Sequence, residues 1–512
     1  MLRAGRHLWR LFGIGRCLAR HNALFPLEML PLPEGVVRLA RRLSRQDAPG
    51  RPGQRLARAL QELGPSFIKL GQSLATRADL LGQGLAADLS QLHDDLPPFE
   101  GALARQMIER ELGRPIAELF TSFDDRPVAA ASIAQVHFGI TPAGEEVAIK
   151  VLRPGIERRM ARDLDFFVWI AAWVERLQPA YRRLKPVKVV ETMVMWTRLE
   201  MDLRLEAAAA SELAENFKDD PAFRVPRIDW QRTARRVLTL ERVSGIASDE
   251  RDALIAAGFD PDHILARAAE SFFKQVFRDG FFHGDMHPGN IFIDAEGVLV
   301  PVDFGIMGRL DRPTRRYLGE MLLGFLSGDY QRVAEVHFTA GYVPANQDKA
   351  AFMQACRAIG EPIRGRPLAD ISVGRLLGQL FEVSETFAME TQPQLLLLQK
   401  TMVVAEGVGR ALNPELNMWQ LAQPLIEGWI VDNLGPQAQL KSALADGLEV
   451  ARRLPHLVER GERVLDAIEG GVRLDPRSLD ALAARRSSAA ERLLPWALCL
   501  LLTGLLLGLL LR

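Results

Sequence analysis

The apolar positions change period several times along the chain. Leu56, Leu60, Leu63, Phe67, Leu70 and Leu74 step by four and three, the stripe of an amphipathic helix. Gly64-Pro65 interrupts that stripe and predicts two helices, with Pro65 in the first turn of the second. Residues 1–122 read as mostly helical, with Pro97-Pro98 closing the run. From Val128 to Leu152 the pattern alternates like strands, with Pro142-Ala143-Gly144 as a turn. Helical spacing returns over 155–217. Short strands are predicted near 237–243 and 291–302. Helices follow over 310–470, with breaks near Pro344, Pro424 and Pro455. No internal repeat is evident.

The last apolar run differs from all of these. Leu493 to Leu511 is 19 residues without a charge, enough to cross about 30 Å of hydrocarbon as a helix. A buried core helix is the competing reading, but a nearly all-Leu run has no polar face to turn to water. Arg485, Arg486 and Arg492 precede it and only Arg512 follows. The positive-inside rule then keeps the body of the protein in the cytoplasm. Gly504 and Gly508 form a GxxxG, a weak signal for a homodimer packed through that helix. Arg3, Arg6, Arg10, Arg16 and Arg20 break up the N-terminal segment, so it has no signal-peptide core. A basic helix lying on an anionic membrane and a solvated helix both fit it.

The chain has 512 residues, 48% apolar and 25% charged. Room for about three domains follows, while disorder throughout, a collagen-like fibre and a coiled-coil rod are excluded. Lys+Arg and Asp+Glu both number 64, so charge gives no sign of nucleic-acid binding. Cys17, Cys356 and Cys499 are too far apart in sequence for a metal spacing or a disulfide framework. The 64 basic residues comprise nine Lys and 55 Arg. In such a chain a Lys stands out as a position that wants a compact, strongly hydrated ammonium.

The chemistry concentrates in His283-Gly284-Asp285-Met286-His287-Pro288-Gly289-Asn290, followed by Asp303-Phe304-Gly305. A kinase catalytic loop needs an Asp to accept the nucleophile's proton. It needs an Asn five residues on to hold Mg²⁺, and a second Mg²⁺-binding Asp beyond a short hairpin. Asp285, Asn290 and Asp303 stand at those spacings. Residues 291–293 and 298–300 supply the hairpin, with Glu296-Gly297 in its turn. A metal site built from His283 and His287 is disfavoured, because Pro288-Gly289 prevents a helix from presenting both. Upstream, Val147-Ala148-Ile149-Lys150 matches the strand whose Lys meets the α- and β-phosphates of ATP. The Gly-rich loop that should end at Val136 reads Ala129-Ala130-Ala131-Ser132-Ile133-Ala134-Gln135-Val136 instead. Ala129, Ala131 and Ala134 occupy the template's Gly positions. Alanine lacks glycine's freedom of φ, so nucleotide should be held differently from an ordinary protein kinase. Leu238 to Gly245 resembles a kinase hinge, with Glu241 at the backbone that would meet adenine.

Lys150 needs a carboxylate partner. On a helix predicted over roughly 190–217, Met195, Leu199, Leu213 and Phe217 form the apolar stripe. Asp202 and Glu206 fall on it, with Glu200 a quarter-turn away. Carboxylates facing a core are costly unless paired, so Glu206 is expected to pair with Lys150, and Glu200 and Asp202 with another cation. Lys69 is one candidate: Lys69 and Gln72 share a helical face that is either simply solvated or folded over the ATP cleft. Gly82-Gln83-Gly84-Leu85-Ala86-Ala87 matches a dinucleotide-binding pattern but follows helix rather than strand, and no Walker loop exists.

With these residues in place, the chain resembles the UbiB family of atypical kinase-like proteins, implicated in ubiquinone (coenzyme Q) biosynthesis. The resemblance covers roughly residues 20–430 and the tail. It rests on Lys69-Leu-Gly-Gln72 (KxGQ), the Ala-rich loop Ala129-Ala-Ala-Ser132 and Glu200-Met-Asp202 (ExD). Aminoglycoside-type kinases share the HGDxHPGN loop but lack these three. The resemblance implies an α+β, bilobal protein-kinase-like fold with a helical N-terminal extension and a C-terminal transmembrane helix. ATP and Mg²⁺ would sit between the lobes. The domains expected are an extension over 1–122, an N-lobe over 123–243, a C-lobe over 244–435, a juxtamembrane region over 436–492 and the anchor at 493–511. Carried over by position, Lys150 holds phosphates, Glu206 pairs with it, Asp285 is the catalytic acceptor, and Asn290 and Asp303 bind Mg²⁺. Lys69 would meet the ExD carboxylates. Members often end in two membrane helices, where this chain shows one. The activity expected is ATP hydrolysis or unorthodox phosphotransfer at the bacterial inner membrane. Hydrophobic quinone precursors and quinone-biosynthetic enzymes would be its partners. A lipid or small-molecule kinase and a nucleotide-gated scaffold are the alternatives.

Overall fold

A computed structural model describes residues 2–25, 48–75, 82, 83–89, 96–177, 186–362 and 392–413, with positions 92, 379, 382–384, 386–389, 424–425 and 428–429. The chain divides into two compact units, Met1–Leu434 and Gly435–Arg512, and every element named here belongs to the first.

The N-terminal third is helical: α1 (Leu2–Arg20), α2 (Pro52–Leu63), α3 (Pro65–Ala75) and α4 (Gln83–Leu89). The break between α2 and α3 falls at Gly64-Pro65, where Gly64 takes φ +100, a conformation costly for any other residue. Leu56, Leu60 and Phe67 of the stripe are buried, packed with Leu89 and Leu92. Gly71, inside the KxGQ motif, is small for a packing reason. A Cβ there would lie 2.4 Å from Leu92 Cδ1 and 2.7 Å from Leu60 Cδ1. Pro97-Pro98 does not end the helical region as expected: α5 (Gly101–Leu112) and α6 (Ile116–Leu119) follow it. The α5 residues Ala104, Met107 and Ile108 close the outer face of the sheet that comes next.

That sheet is antiparallel: β1 (Ser122–Phe123), β2 (Ala129–Ala130), β3 (Ala134–Ile140), β4 (Glu146–Leu152) and β5 (Val237–Glu241). The β3–β4 turn runs from Thr141 to Gly144, as the Pro-Ala-Gly signal predicts. Along β4, Val147, Ile149 and Val151 are buried on one face while Ala148 and Lys150 alternate to the other. Between β4 and β5 lie α7 (Ile156–Leu177), α8 (Pro186–Glu200) and α9 (Leu203–Asn216). The 190–217 helix of the sequence reading is therefore two helices. Asp202 leaves helical geometry at φ −120, ψ 92 and its carboxylate caps α9 by accepting from Arg204 N. Because the helix breaks there, Met195 and Leu199 are exposed and share no stripe with Glu206.

The second half begins with β6 (Ile246–Ala247), α10 (Arg251–Ala256) and α11 (Pro261–Phe273). A π-helical turn, Lys274–Asp279, leads into β7 (Phe281–His283). The hairpin β8 (Ile291–Ile293) and β9 (Leu299–Pro301) forms as predicted, with Gly297 in its turn at φ +77. Strand β10 (Met307–Arg309) pairs back onto β7. Among the described residues the helices α12 (Arg312–Ser327), α13 (Tyr330–Thr339), α14 (Lys349–Gly360) and α15 (Pro393–Leu412) follow. Among the described residues no helix is long and apolar enough to cross a membrane. The run 493–511, its GxxxG and the 436–492 segment lie outside the described residues.

Gly280 sets the entry to β7 and hence to the catalytic loop. It takes φ +67, and a Cβ there would lie 2.4 Å from the Leu310 carbonyl oxygen. Since that neighbour is backbone, Gly280→Ala is expected to cost about 2–3 kcal/mol, read as a lowered midpoint in thermal unfolding.

Candidate active site

Lys150 faces the interior of the cleft from the middle of β4, opposite Val136 on β3 and Leu238 on β5. Its ammonium lies 2.7 Å from Glu206 Oε1 and 3.2 Å from Asp303 Oδ2. Glu206 is buried on α9 among Leu203, Ala207, Ala210 and Leu213, spaced as one helical face. Burial pushes its carboxyl up to about 7, against the pull of Lys150. The same burial works against charge on Lys150, but Asp303 and Glu206 outweigh it and hold the ammonium well above its usual range. For Asp303, Lys150 and the Gly305 N–H overcome the cost of desolvation and bring its carboxyl down to about 2.

The catalytic loop is organised by His283. Its Nε2 hydrogen-bonds the Asp303 carbonyl, and its Nδ1 accepts from Asp285 N at 3.2 Å. Both ring nitrogens are thus used, Nε2 as donor and Nδ1 as acceptor. Burial keeps the imidazole neutral by lowering its pKa. His287 Nδ1 accepts from Gly289 N at 3.3 Å. His283 therefore has no free nitrogen to join His287 in a metal site. Asn290 Nδ2 donates to Asp285 Oδ2 and to its carbonyl, both at 3.2 Å. Asn290 O accepts from Val302 N at 2.9 Å, so the β8–β9 hairpin returns the chain beside Asn290 immediately before Asp303. With its amide nitrogen given to Asp285, Asn290 keeps an amide oxygen, and Asp303 adds a carboxylate. This all-oxygen pair suits Mg²⁺, which takes few protein ligands and completes its shell with water and phosphate.

The Ala-rich loop is a closed hairpin. Ala129 pairs with Val136 and Ala130 with Gln135, and Ala131 N donates to Ala134 O at 2.8 Å. Ser132 is fully buried in its turn. Arg153, which sequence reasoning missed, fastens the loop. Its Nε donates to Ala131 O at 3.0 Å, and its other nitrogens reach the Leu96 and Pro97 carbonyls at 3.1 and 2.9 Å. The Ala131 amide is spent inside the hairpin, unlike the free amides with which a Gly-rich loop cradles phosphate.

The N-terminal extension meets the ExD motif through Lys69, whose ammonium lies 2.6 Å from Glu200 Oε2 with only 13% and 19% of the two side chains exposed. Lys69 is therefore not on a solvated face. Gln72 is half-buried one turn further along α3. Asp202 pairs with Arg204 Nη2 at 2.6 Å, the cation its own helix supplies. The Glu241 N–H donates to Arg227 O at 2.8 Å, and its carboxylate binds Arg224 at 2.8 Å and Arg227 N at 3.2 Å. Both groups are turned to the 224–227 segment. A second residue escaped the sequence reading: Lys400 on α15, with Nζ 3.3 Å from Asp285 Oδ1. Its one signal was being one of nine Lys among 55 Arg.

Residues 91–337 match the ABC1 atypical kinase-like domain and residues 356–417 the UbiB helical domain. A protein of Marinobacter nauticus named "Probable protein kinase UbiB" is 44% identical over 462 residues, spanning 88% of this chain and 84% of its own. Proteins of the same name from Pseudomonas fluorescens and Pseudomonas putida are each 40% identical. They span 91% and 98% of this chain, and 88% and 92% of their own.

Two outcomes follow from the charges. Glu206 titrates near 7 in the folded chain against about 4.3 unfolded. Between those values the folded state holds the extra proton, so this group's contribution to stability falls as pH rises through the window, by up to about 1 kcal/mol per pH unit. Thermal midpoints of the nucleotide-free protein across pH 4.5–7 should show that slope, and Glu206→Gln should lack it. Lys69→Met strips a largely buried Glu200 of its cation. It is expected to cost about 1–3 kcal/mol, with the Lys69→Met/Glu200→Gln double variant costing less than the sum of the singles in denaturant unfolding.

Proposed function

The chain belongs to the UbiB family of atypical kinase-like proteins, and from that premise we propose that it is an ATP-hydrolysing enzyme that supports ubiquinone biosynthesis at the bacterial inner membrane. The observation that carries this reading is the convergence of Lys150, Glu206 and Asp303 on one another at 2.7 and 3.2 Å, beside a loop in which Asn290 holds Asp285.

Each residue has a role that follows from its contacts. Lys150, oriented by Glu206, meets the α- and β-phosphates. Asn290 and Asp303 hold Mg²⁺, which when bound neutralises phosphate charge. Asp285, fixed by Asn290 and by the neutral His283, accepts the proton of the attacking water. The closed Ala hairpin supplies fewer amides to the phosphates, which would slow phosphoryl transfer to any acceptor. The ion pair of Lys69 with Glu200 lies six residues from Glu206, so a protein or lipid that moves α3 would be felt at Lys150's partner. The apolar run 493–511 would tether the body at the cytoplasmic face, beside hydrophobic quinone precursors and the enzymes that modify them, with Gly504 and Gly508 available to pair two copies.

Asp285→Asn is expected to lower ATP turnover of the purified chain by about 10²-fold or more while nucleotide binding remains. Asp303→Asn should lose Mg²⁺-dependent nucleotide binding. In a strain lacking the protein, wild type should restore quinone content and Asp285→Asn should not. Full turnover by Asp285→Asn would reject the role given to Asp285, and full quinone content in its presence would replace the enzyme reading with a nucleotide-gated scaffold. A phosphorylated quinone precursor in the wild-type strain would replace hydrolysis with lipid phosphorylation.

A further inference from the structure

The structure brings a cation to Asp285 from far along the chain. Lys400 lies 115 residues downstream, and its Nζ is 3.3 Å from Asp285 Oδ1, the oxygen that Asn290 does not use. It belongs to the stretch matching the helical domain, outside the stretch matching the kinase-like domain. The contact is built into the packing of α15. Gly284, next to Asp285, leaves space that a Cβ would take, 2.9 Å from Leu397 Cδ2. Leu397 and Lys400, three apart, share a face of α15. Leu398 is buried with Phe277, Phe282 and Leu310. The helix is secured at its far end, where Arg251 Nε donates to Leu412 O at 2.8 Å and Asn413 binds Asp262 at 2.7 Å. Lys400 itself is 41% exposed, and Asp285 32%, so both are open to a ligand.

Phosphoryl transfer is catalysed chiefly by positioning and by stabilising charge on the transferring oxygens. From His283 to Ile293 the catalytic loop contains no Lys or Arg. Lys150, held by Glu206 and Asp303, is assigned above to the α- and β-phosphates, which leaves the γ-phosphoryl group without a cation of its own. A group that takes the acceptor's proton must lie within hydrogen-bond reach of the attacking oxygen. A cation touching that group therefore stands beside the phosphorus under attack. An ammonium suits the place, being a compact point charge that can trade one anion for another.

We propose that Lys400 is the cation that binds the γ-phosphoryl group of ATP, supplied by the helical domain to the catalytic loop of the kinase-like domain. Without nucleotide it rests on Asp285; with ATP bound it exchanges that carboxylate for γ-phosphoryl oxygens. In the reaction the bond from the attacking water oxygen to phosphorus forms. The bond from phosphorus to the β–γ bridging oxygen breaks, ADP leaves with the electron pair, and the water proton passes to Asp285. Lys400 stays protonated throughout. The inference rests on the ATP-hydrolysing reading above.

The test is the ratio of ATP to ADP affinity, measured with Mg²⁺ by displacement of a fluorescent nucleotide from the full-length chain, alongside turnover. Lys400→Met should weaken ATP at least tenfold and leave ADP within twofold, because ADP has no γ-phosphate. Turnover should fall with it, and Lys400→Arg should keep part of the ATP preference. Retained ADP binding shows that the variant is folded. Equal losses for both nucleotides, or Lys400→Met matching wild type in both measurements, would overturn the inference while leaving the enzyme reading intact. A wild-type chain that binds neither nucleotide would take both down.

Discussion

One ammonium between two carboxylates organises this molecule. Lys150 sits on a central strand, Glu206 on a helix inserted before β5, and Asp303 beyond the hairpin of the second half. Desolvating a charge is costly unless partners compensate it, so each of these elements is held by the need of the others. Burial pushes the Glu206 carboxyl up, while Lys150 and the Gly305 N–H bring that of Asp303 down, so the two acids that share one ammonium are displaced in opposite directions from their ordinary values.

Around that cluster the usual kinase parts are kept while their surroundings are altered. The Ala-rich loop is closed by its own hairpin bond and fastened by Arg153 rather than left open by glycines. His283 joins the catalytic loop to the segment that carries Asp303, using both ring nitrogens. Rigid placement of this kind suits a reaction whose barrier is lowered by geometry and fixed charge.

The helical additions on either side are each tied to the kinase-like stretch by an ion pair. The N-terminal extension contributes Lys69 to Glu200, and α15 contributes Lys400 to Asp285. In each case a rare Lys from outside the kinase-like stretch meets a carboxylate that belongs to it. Gly71 and Gly284 mark the two approaches, each small because a neighbouring leucine needs the space.

The sequence by itself determined the local elements and the identity of the chemistry. The Gly64-Pro65 break, the β3–β4 turn and the Glu296-Gly297 hairpin depend on backbone preferences of a few adjacent residues, and the Asp285–Asn290–Asp303 spacing is dictated by one short hairpin. Tertiary structure decided what lies across space. Periodicity ran α8 and α9 together because it cannot see that Asp202 does better as a cap than on a stripe. Nor does a strand pattern reveal that Arg224 and the Arg227 N–H hold the Glu241 carboxylate from another segment. Arg153 and Lys400 were invisible for the same reason: a side chain's partner 22 or 115 residues away is chosen by the packing of whole elements, which no local pattern encodes.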